Sequence, residues 1–150
     1  MARHALMRRD GERMKTITVP SDKGRLYEVQ GFIESCLSGC GASQKTLTQL
    51  ELVVEEIFIN ISSYAYRPPG SGDIGISCSV EEDMMKVTIV FEDRGPEFDP
   101  LEHQDPDVEV DARDRPVGGL GIFLVKRNVD GISYRRDGDR NILTVEKRLS

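Results

Sequence analysis

Three clusters of residues in this chain have the types and spacing to do chemistry. The first is Glu56 with Asn60, four apart in Glu55-Glu56-Ile57-Phe58-Ile59-Asn60. On a helix such a pair stands about 5–6 Å apart at Cβ. An amide oxygen can ligate a hard cation such as magnesium, which takes one or two protein ligands and completes its shell with phosphates and water. A carboxylate beside it can act as a general base on a hydroxyl or water. The second cluster is Asp93-Arg94-Gly95-Pro96-Glu97-Phe98-Asp99-Pro100. An acidic residue at a strand end can accept from an exocyclic amine, and a glycine two residues on lets the backbone approach a flat ring. The third is Gly118-Gly119-Leu120-Gly121 running into a helix, where free backbone N–H groups and the helix N-terminus favour an anion. It is neither a dinucleotide fingerprint nor a P-loop, because no strand immediately precedes it and no Lys-Ser/Thr comes after the glycines. Taken singly, each cluster has a plainer reading: the polar rim of an amphipathic helix, an ordinary Asp-x-Gly turn, and a hinge before a helix.

The elements that must position these residues can be read from periodicity. Leu50, Val53, Val54, Ile57, Phe58, Ile61, Tyr64 and Ala65 repeat at i, i+3, i+4, i+7, which predicts one apolar stripe facing a core. Glu56 and Asn60 fall on one flank of that stripe and Glu55 on the other. Ser43 or Thr46 begins this helix, with Thr46 to Gln49 in capping-box form, and Pro68-Pro69-Gly70 terminates it. Upstream, Met14 to Val19 reads as a strand. A helix carrying Leu26, Val29, Phe32, Ile33 and Leu37 comes next, capped by Ser21 or Asp22 and closed by Gly39-Cys40-Gly41. Downstream, Asp73 to Val80 and Met84 to Glu92 read as a hairpin with one buried face. Asp93 to Val117, rich in proline and acidic residues, is longer than ordinary loops and reads as a lid or binding loop, with a disordered insertion as the alternative. A short helix over Ile122 to Val129 and two strands, Gly131 to Arg135 and Asn141 to Leu149, complete the chain. The order β-α-α-β-β-lid-α-β-β predicts an α+β fold with helices on one sheet face.

Composition narrows the class. Hydrophobic residues at 38% and charged residues at 31% suit a soluble globular domain. Lys plus Arg at 20 against Asp plus Glu at 26 gives −6, which offers no nucleic-acid surface, and no apolar run reaches the length of a membrane span. We read residues 1–13, with Arg3, Arg8, Arg9 and Arg13, as a flexible arm and residues 14–150 as one domain. Cys36, Cys40 and Cys78 lack zinc-ligand spacing, and His4 and His103 add none, so reduced cytoplasmic thiols are expected.

Together, in order and spacing, the three clusters resemble the N, G1 and G2 boxes of the GHKL ATPase superfamily, most closely the anti-sigma-factor serine/threonine kinases. The similarity rests on E-x-x-x-N (Glu56 to Asn60) with an aromatic-rich helix end through Tyr66, D-x-G-x-x-F-D-P (Asp93 to Pro100) and G-G-L-G-I-F-L-V-K (Gly118 to Lys126). Asp130 and Gly138-x-x-Asn141-x-Leu143-Thr144 extend it. The resemblance implies a two-layer α/β sandwich of the Bergerat type: a mixed, mostly antiparallel sheet, three helices on one face and a long ATP lid. It implies ATP and Mg²⁺ as cofactors, Asn60 as metal ligand and Glu56 as catalytic base. Asp93 and Gly95 would take adenine, and Gly118, Gly119 and Gly121 would serve the phosphates and the lid hinge. Ile61, where a small residue is usual, and Val117, where relatives often carry glycine, depart from the pattern. Arg113 and Arg115 would reach a γ-phosphate or pair with acidic lid residues, the latter being our expectation for an exposed loop. The implied function is phosphorylation of a small anti-anti-sigma-type antagonist in a partner-switching pathway that regulates transcription. A sigma factor or other regulator would be the second partner, and a homodimer through the first strand and helix is compatible with it. The alternative is an ATP-binding switch that sequesters a partner without kinase turnover.

Overall fold

The computed structural model describes residues 3–8, 12–68, 70–102 and 119–149. Its strands obey the alternation that defines them. In β3 (Asp73–Glu81) and β4 (Lys86–Asp93) every second side chain is buried, so the hairpin pairs Ile76 with Phe91, Cys78 with Ile89 and Val80 with Val87 on one face. Upstream lie β1 (Arg3–Arg8) and β2 (Glu12–Pro20), and downstream β5 (Gly131–Asp137) and β6 (Arg140–Arg148). They form one six-stranded sheet in the order β1-β2-β3-β4-β6-β5. The resemblance implies a mixed, mostly antiparallel sheet, and among the described residues every pairing is antiparallel. The reason is topological. The helical crossover from β4 returns the chain as β5 running parallel to β4, but β6 folds back between them and pairs with both.

Within the segment read as an arm, Arg3–Arg8 pairs with β2 from Arg3↔Ile17 to Arg8↔Glu12. Without β1, strand β2 would be an edge with unpaired backbone groups.

Three helices cover one face: α1 (Leu26–Leu37), α2 (Gln44–Tyr64) and α3 (Gly119–Asn128). A 3-10 turn at Lys23–Arg25 leads into α1, with the Asp22 carboxylate accepting from Gly24 N at 3.0 Å. Ser43 caps α2, its Oγ accepting from Thr46 N at 3.1 Å; Thr46 is therefore inside the helix and its capping-box form is unused. Val53, Val54, Ile57 and Phe58 of α2 pack with Val29, Phe32 and Ile33 of α1 onto Ile17, Ile74, Ile76 and Phe91 of the sheet. Tyr64, placed by periodicity on the apolar stripe, is instead 55% exposed. It lies in the last turn of α2, past the edge of the core. No helix among the described residues is long and apolar enough to cross a membrane.

Candidate functional site

The stripe that seats α2 on the sheet decides which polar side chains reach its rim. Glu55 points to solvent, whereas Glu56 and Asn60 are half-buried. Asn60 lines a cavity of about 210 Å³ whose walls include Ile57, Ile61, Tyr64, Phe98 and Leu143 and whose polar end includes Asp93. Ligand sites commonly take this form, an apolar cleft with a few converging polar groups, although 210 Å³ is nearer the size of a single heterocycle than of a whole nucleotide. A larger concavity of about 450 Å³ on the helix-free face is walled by Thr18, Gly75, Glu92, Arg94 and Arg140. Asp93 lines it too, but Asn60 does not, and its Glu92–Arg140 ion pair at 3.4 Å already answers part of its charge. The chemistry sits with the smaller cavity.

Asp93 ends β4 on the inward side and is 6% exposed. Its Oδ1 accepts from Gly95 N and from Asn141 Nδ2, each at 2.9 Å. Oδ2 has no hydrogen bond among the described residues, which leaves an acceptor for a ligand N–H. Gly95 is buried behind it, and a Cβ there would stand 2.4 Å from Ala65 O. The missing side chain therefore answers to the end of α2 before any ring. Tyr66 fixes the same junction: its hydroxyl donates to Asp73 O at 2.8 Å and accepts from Arg94 N at 2.7 Å.

Glu56 lies one turn before Asn60 and does not line the cavity. It faces the first turn of α3, where a Cβ at Gly121 would come 2.8 Å from its Oε2. Burial raises its carboxyl above the ordinary range, with the charge of Glu55 adding to the effect. A carboxylate moved this way is a better proton acceptor near neutral pH. Gly119 is the first residue of α3. Gly118, Arg113, Arg115 and Val117 lie outside the described residues. Asn60 makes no side-chain hydrogen bond among the described residues, and none of their His, Cys, Asp and Glu side chains group in threes to hold a metal. One free amide oxygen fits magnesium only where phosphates and water supply the remaining ligands.

The structure thus brings Asn60 and Asp93 to one cavity, places Gly95 behind Asp93, and sets Glu56 against Gly121. It adds residues to which the sequence assigned no role: Asn141, Tyr134 and Arg136 behind Asp93, and Phe98, 49% exposed at the cavity wall. Asn141 pairs with Asp93 across β4 and β6, a register that no local pattern announces.

Residues 19–147 match the sequence model of the histidine kinase-like ATPase domain. The chain is 31% identical over 114 residues to the serine-protein kinase RsbW of Oceanobacillus iheyensis, covering 70% of each. It is 29% identical over 113 residues to RsbW of Listeria monocytogenes, covering 71% of this chain and 70% of the relative. The serine/threonine-protein kinase BtrW of Bordetella bronchiseptica is 27% identical over 96 residues, covering 64% and 66%. Among solved structures, the RsbU and RsbW domains of a Mycobacterium tuberculosis protein superpose with a TM-score of 0.61 at 14% identity over 89% of this chain. This chain spans only 32% of that protein's length, and the likeness is one of fold.

Proposed function

The chain belongs to the histidine kinase-like ATPase domain family, and from that premise we propose that it is an ATP-dependent protein serine/threonine kinase of the anti-sigma-factor type. Its acceptor is a serine or threonine hydroxyl on a small antagonist protein, and a sigma factor or similar regulator is the partner that antagonist displaces. The chain works in the cytoplasm, which suits its three free thiols.

One observation carries the reading. A carboxylate with a raised pKa, Glu56, sits against the start of α3, one helical turn from an unengaged amide that shares a cavity with the acceptor Asp93. Asp93 accepts from the exocyclic amine of adenine while Ile57, Ile61 and Tyr64 flank the ring. That orientation leads the phosphates toward Asn60 and the glycines that open α3, where backbone N–H groups face them. Glu56 takes the proton as the acceptor oxygen bonds to the γ-phosphorus, and the bond from that phosphorus to the bridging oxygen breaks to release ADP. Mg²⁺ bound through Asn60 would neutralise the charge on the transferring group, so catalysis is mostly positioning and electrostatics.

Calorimetry with Mg-ATP on the wild type, Asn60→Ala and Glu56→Ala, together with ADP formation, tests this. We expect lost binding in Asn60→Ala, and retained binding with lost turnover in Glu56→Ala. Unchanged affinity in Asn60→Ala would sink the assignment. Tight binding by a wild type that forms no ADP, even slowly with water as acceptor, would replace the kinase with the ATP-holding switch.

A further inference from the structure

Behind Asp93 lies a polar cluster that belongs to none of the three motifs. Asn141, 7% exposed, is saturated at both ends. Its Nδ2 donates to Asp93 Oδ1 at 2.9 Å, Pro96 O at 2.9 Å and, at longer range, Gly95 O at 3.3 Å. Its Oδ1 accepts from Tyr134 OH at 2.6 Å, Arg136 Nη1 at 3.2 Å and Phe98 N at 3.3 Å. A guanidinium and a backbone N–H can only donate, and two carbonyls can only accept, so the amide has one possible orientation. Arg136 Nη1 also donates to Gly95 O at 2.8 Å. The β5–β6 hairpin therefore grips the backbone of the segment from Gly95 to Phe98 at three carbonyl or amide groups, and grips Asp93 itself.

The consequence concerns which oxygen of Asp93 is free. With Oδ1 held by Asn141 and by Gly95 N, the carboxylate cannot rotate, and it offers the cavity a single acceptor. An acceptor fixed at that place favours a purine with an amine there and disfavours one with a carbonyl, because a site built for a donor is left unpaired by its analogue. We propose that Asn141, braced by Tyr134 and Arg136, is the positioning residue that sets the preference of this site for a 6-amino over a 6-oxo purine nucleotide. The proposal rests on the ATP-binding reading.

The test measures Kd for Mg-ATP and Mg-GTP, and KM and kcat for ADP formation, in the wild type, Asn141→Asp and Tyr134→Phe. Asn141→Asp keeps the shape but turns an acceptor toward Asp93 and two carbonyls. It is expected to weaken ATP by about tenfold or more, to weaken GTP far less, and to lower kcat less than it raises KM. Tyr134→Phe leaves the Nδ2 contacts in place and should lower the ATP-over-GTP preference by about two- to fivefold. A merely structural role would weaken both nucleotides together, so equal losses with the preference retained in both variants overturn the proposal. Should Asn141→Asp not fold, an unchanged preference in Tyr134→Phe overturns it alone. A wild type that binds no ATP overturns this inference and the kinase reading together; one that discriminates the two purines while both variants keep its ratio overturns the inference only.

Discussion

A Cβ added at Gly95 and one added at Gly121 would meet neighbours of different stiffness. At Gly95 the obstacle is backbone, Ala65 O at 2.4 Å and Ala65 Cα at 2.9 Å. Gly95→Ala must push the end of α2 aside, an overpacking cost of about 1–3 kcal/mol, read as a lower denaturant midpoint. At Gly121 the obstacle is the far end of the Glu56 side chain, which can swing away, and alanine gains about 1 kcal/mol of helix propensity over glycine inside a helix. Gly121→Ala is therefore expected to keep or raise Tm while displacing Glu56, the proposed base, and slowing ADP formation. A joint fall of both would show that the contact is structural. Glu56 carries its own pH signature. Its folded carboxyl is raised above the ordinary 4.5, so folding favours the protonated form. That contribution is fully present below pH 4.5 and is lost as pH rises through the raised folded value. Near neutral pH the charge is a small cost, because the group is only partly buried and water screens it. Glu56→Gln should raise Tm slightly there, show no gain in acid, and reduce turnover by about 10²–10⁴-fold. A Tm gain of the same size at both pH values would contradict this account.

At the scale of elements, α2 must be held at both ends to keep Asn60 opposite Asp93. Ser43 caps one end, and at the other Tyr66 bridges Asp73 O and Arg94 N. Tyr66→Phe leaves Arg94 N without that acceptor and removes both bonds, which should cost about 1–2 kcal/mol in total. Because Arg94 comes directly after Asp93, ATP affinity should fall as well, and calorimetry beside a denaturant melt checks both. How far the elements were legible depends on the range of the interactions that specify them. The apolar stripe of α2 and the alternation of β3 and β4 are local patterns, and they placed Glu56 and Asn60 on one flank of the stripe and Glu55 on the other. The cap was legible as a choice between two residues and resolved at Ser43. The exposure of Tyr64 was not legible, because periodicity says nothing about where the core beneath a helix stops. Nor was the strand at Arg3–Arg8, whose charge hides a pairing that β2 requires.

The whole molecule adds the long-range layer on which the site depends. Asp93 and Asn141 are 48 residues apart and meet at 2.9 Å only because β6 inserts between β4 and β5. No motif spacing encodes that insertion, so the resemblance reaches Asn141 as a motif position and says nothing of its place behind Asp93. The same arrangement makes ligand binding a global stabiliser. α2, the end of β4 and the β5–β6 hairpin all contribute to one cavity, so an occupant ties together elements that separate on unfolding. A ligand that binds only the folded state stabilises by about 2.7 kcal/mol at a concentration 100 times Kd. For a chain of this size that corresponds to a rise in Tm of roughly 5–10 °C. Mg-ATP should produce such a shift, ATP with a chelator should produce a smaller one, and Asn60→Ala should abolish most of the difference between them. If ATP gave the same shift with and without the metal, the ligand role proposed for Asn60 would be lost while the adenine role proposed for Asp93 would stand.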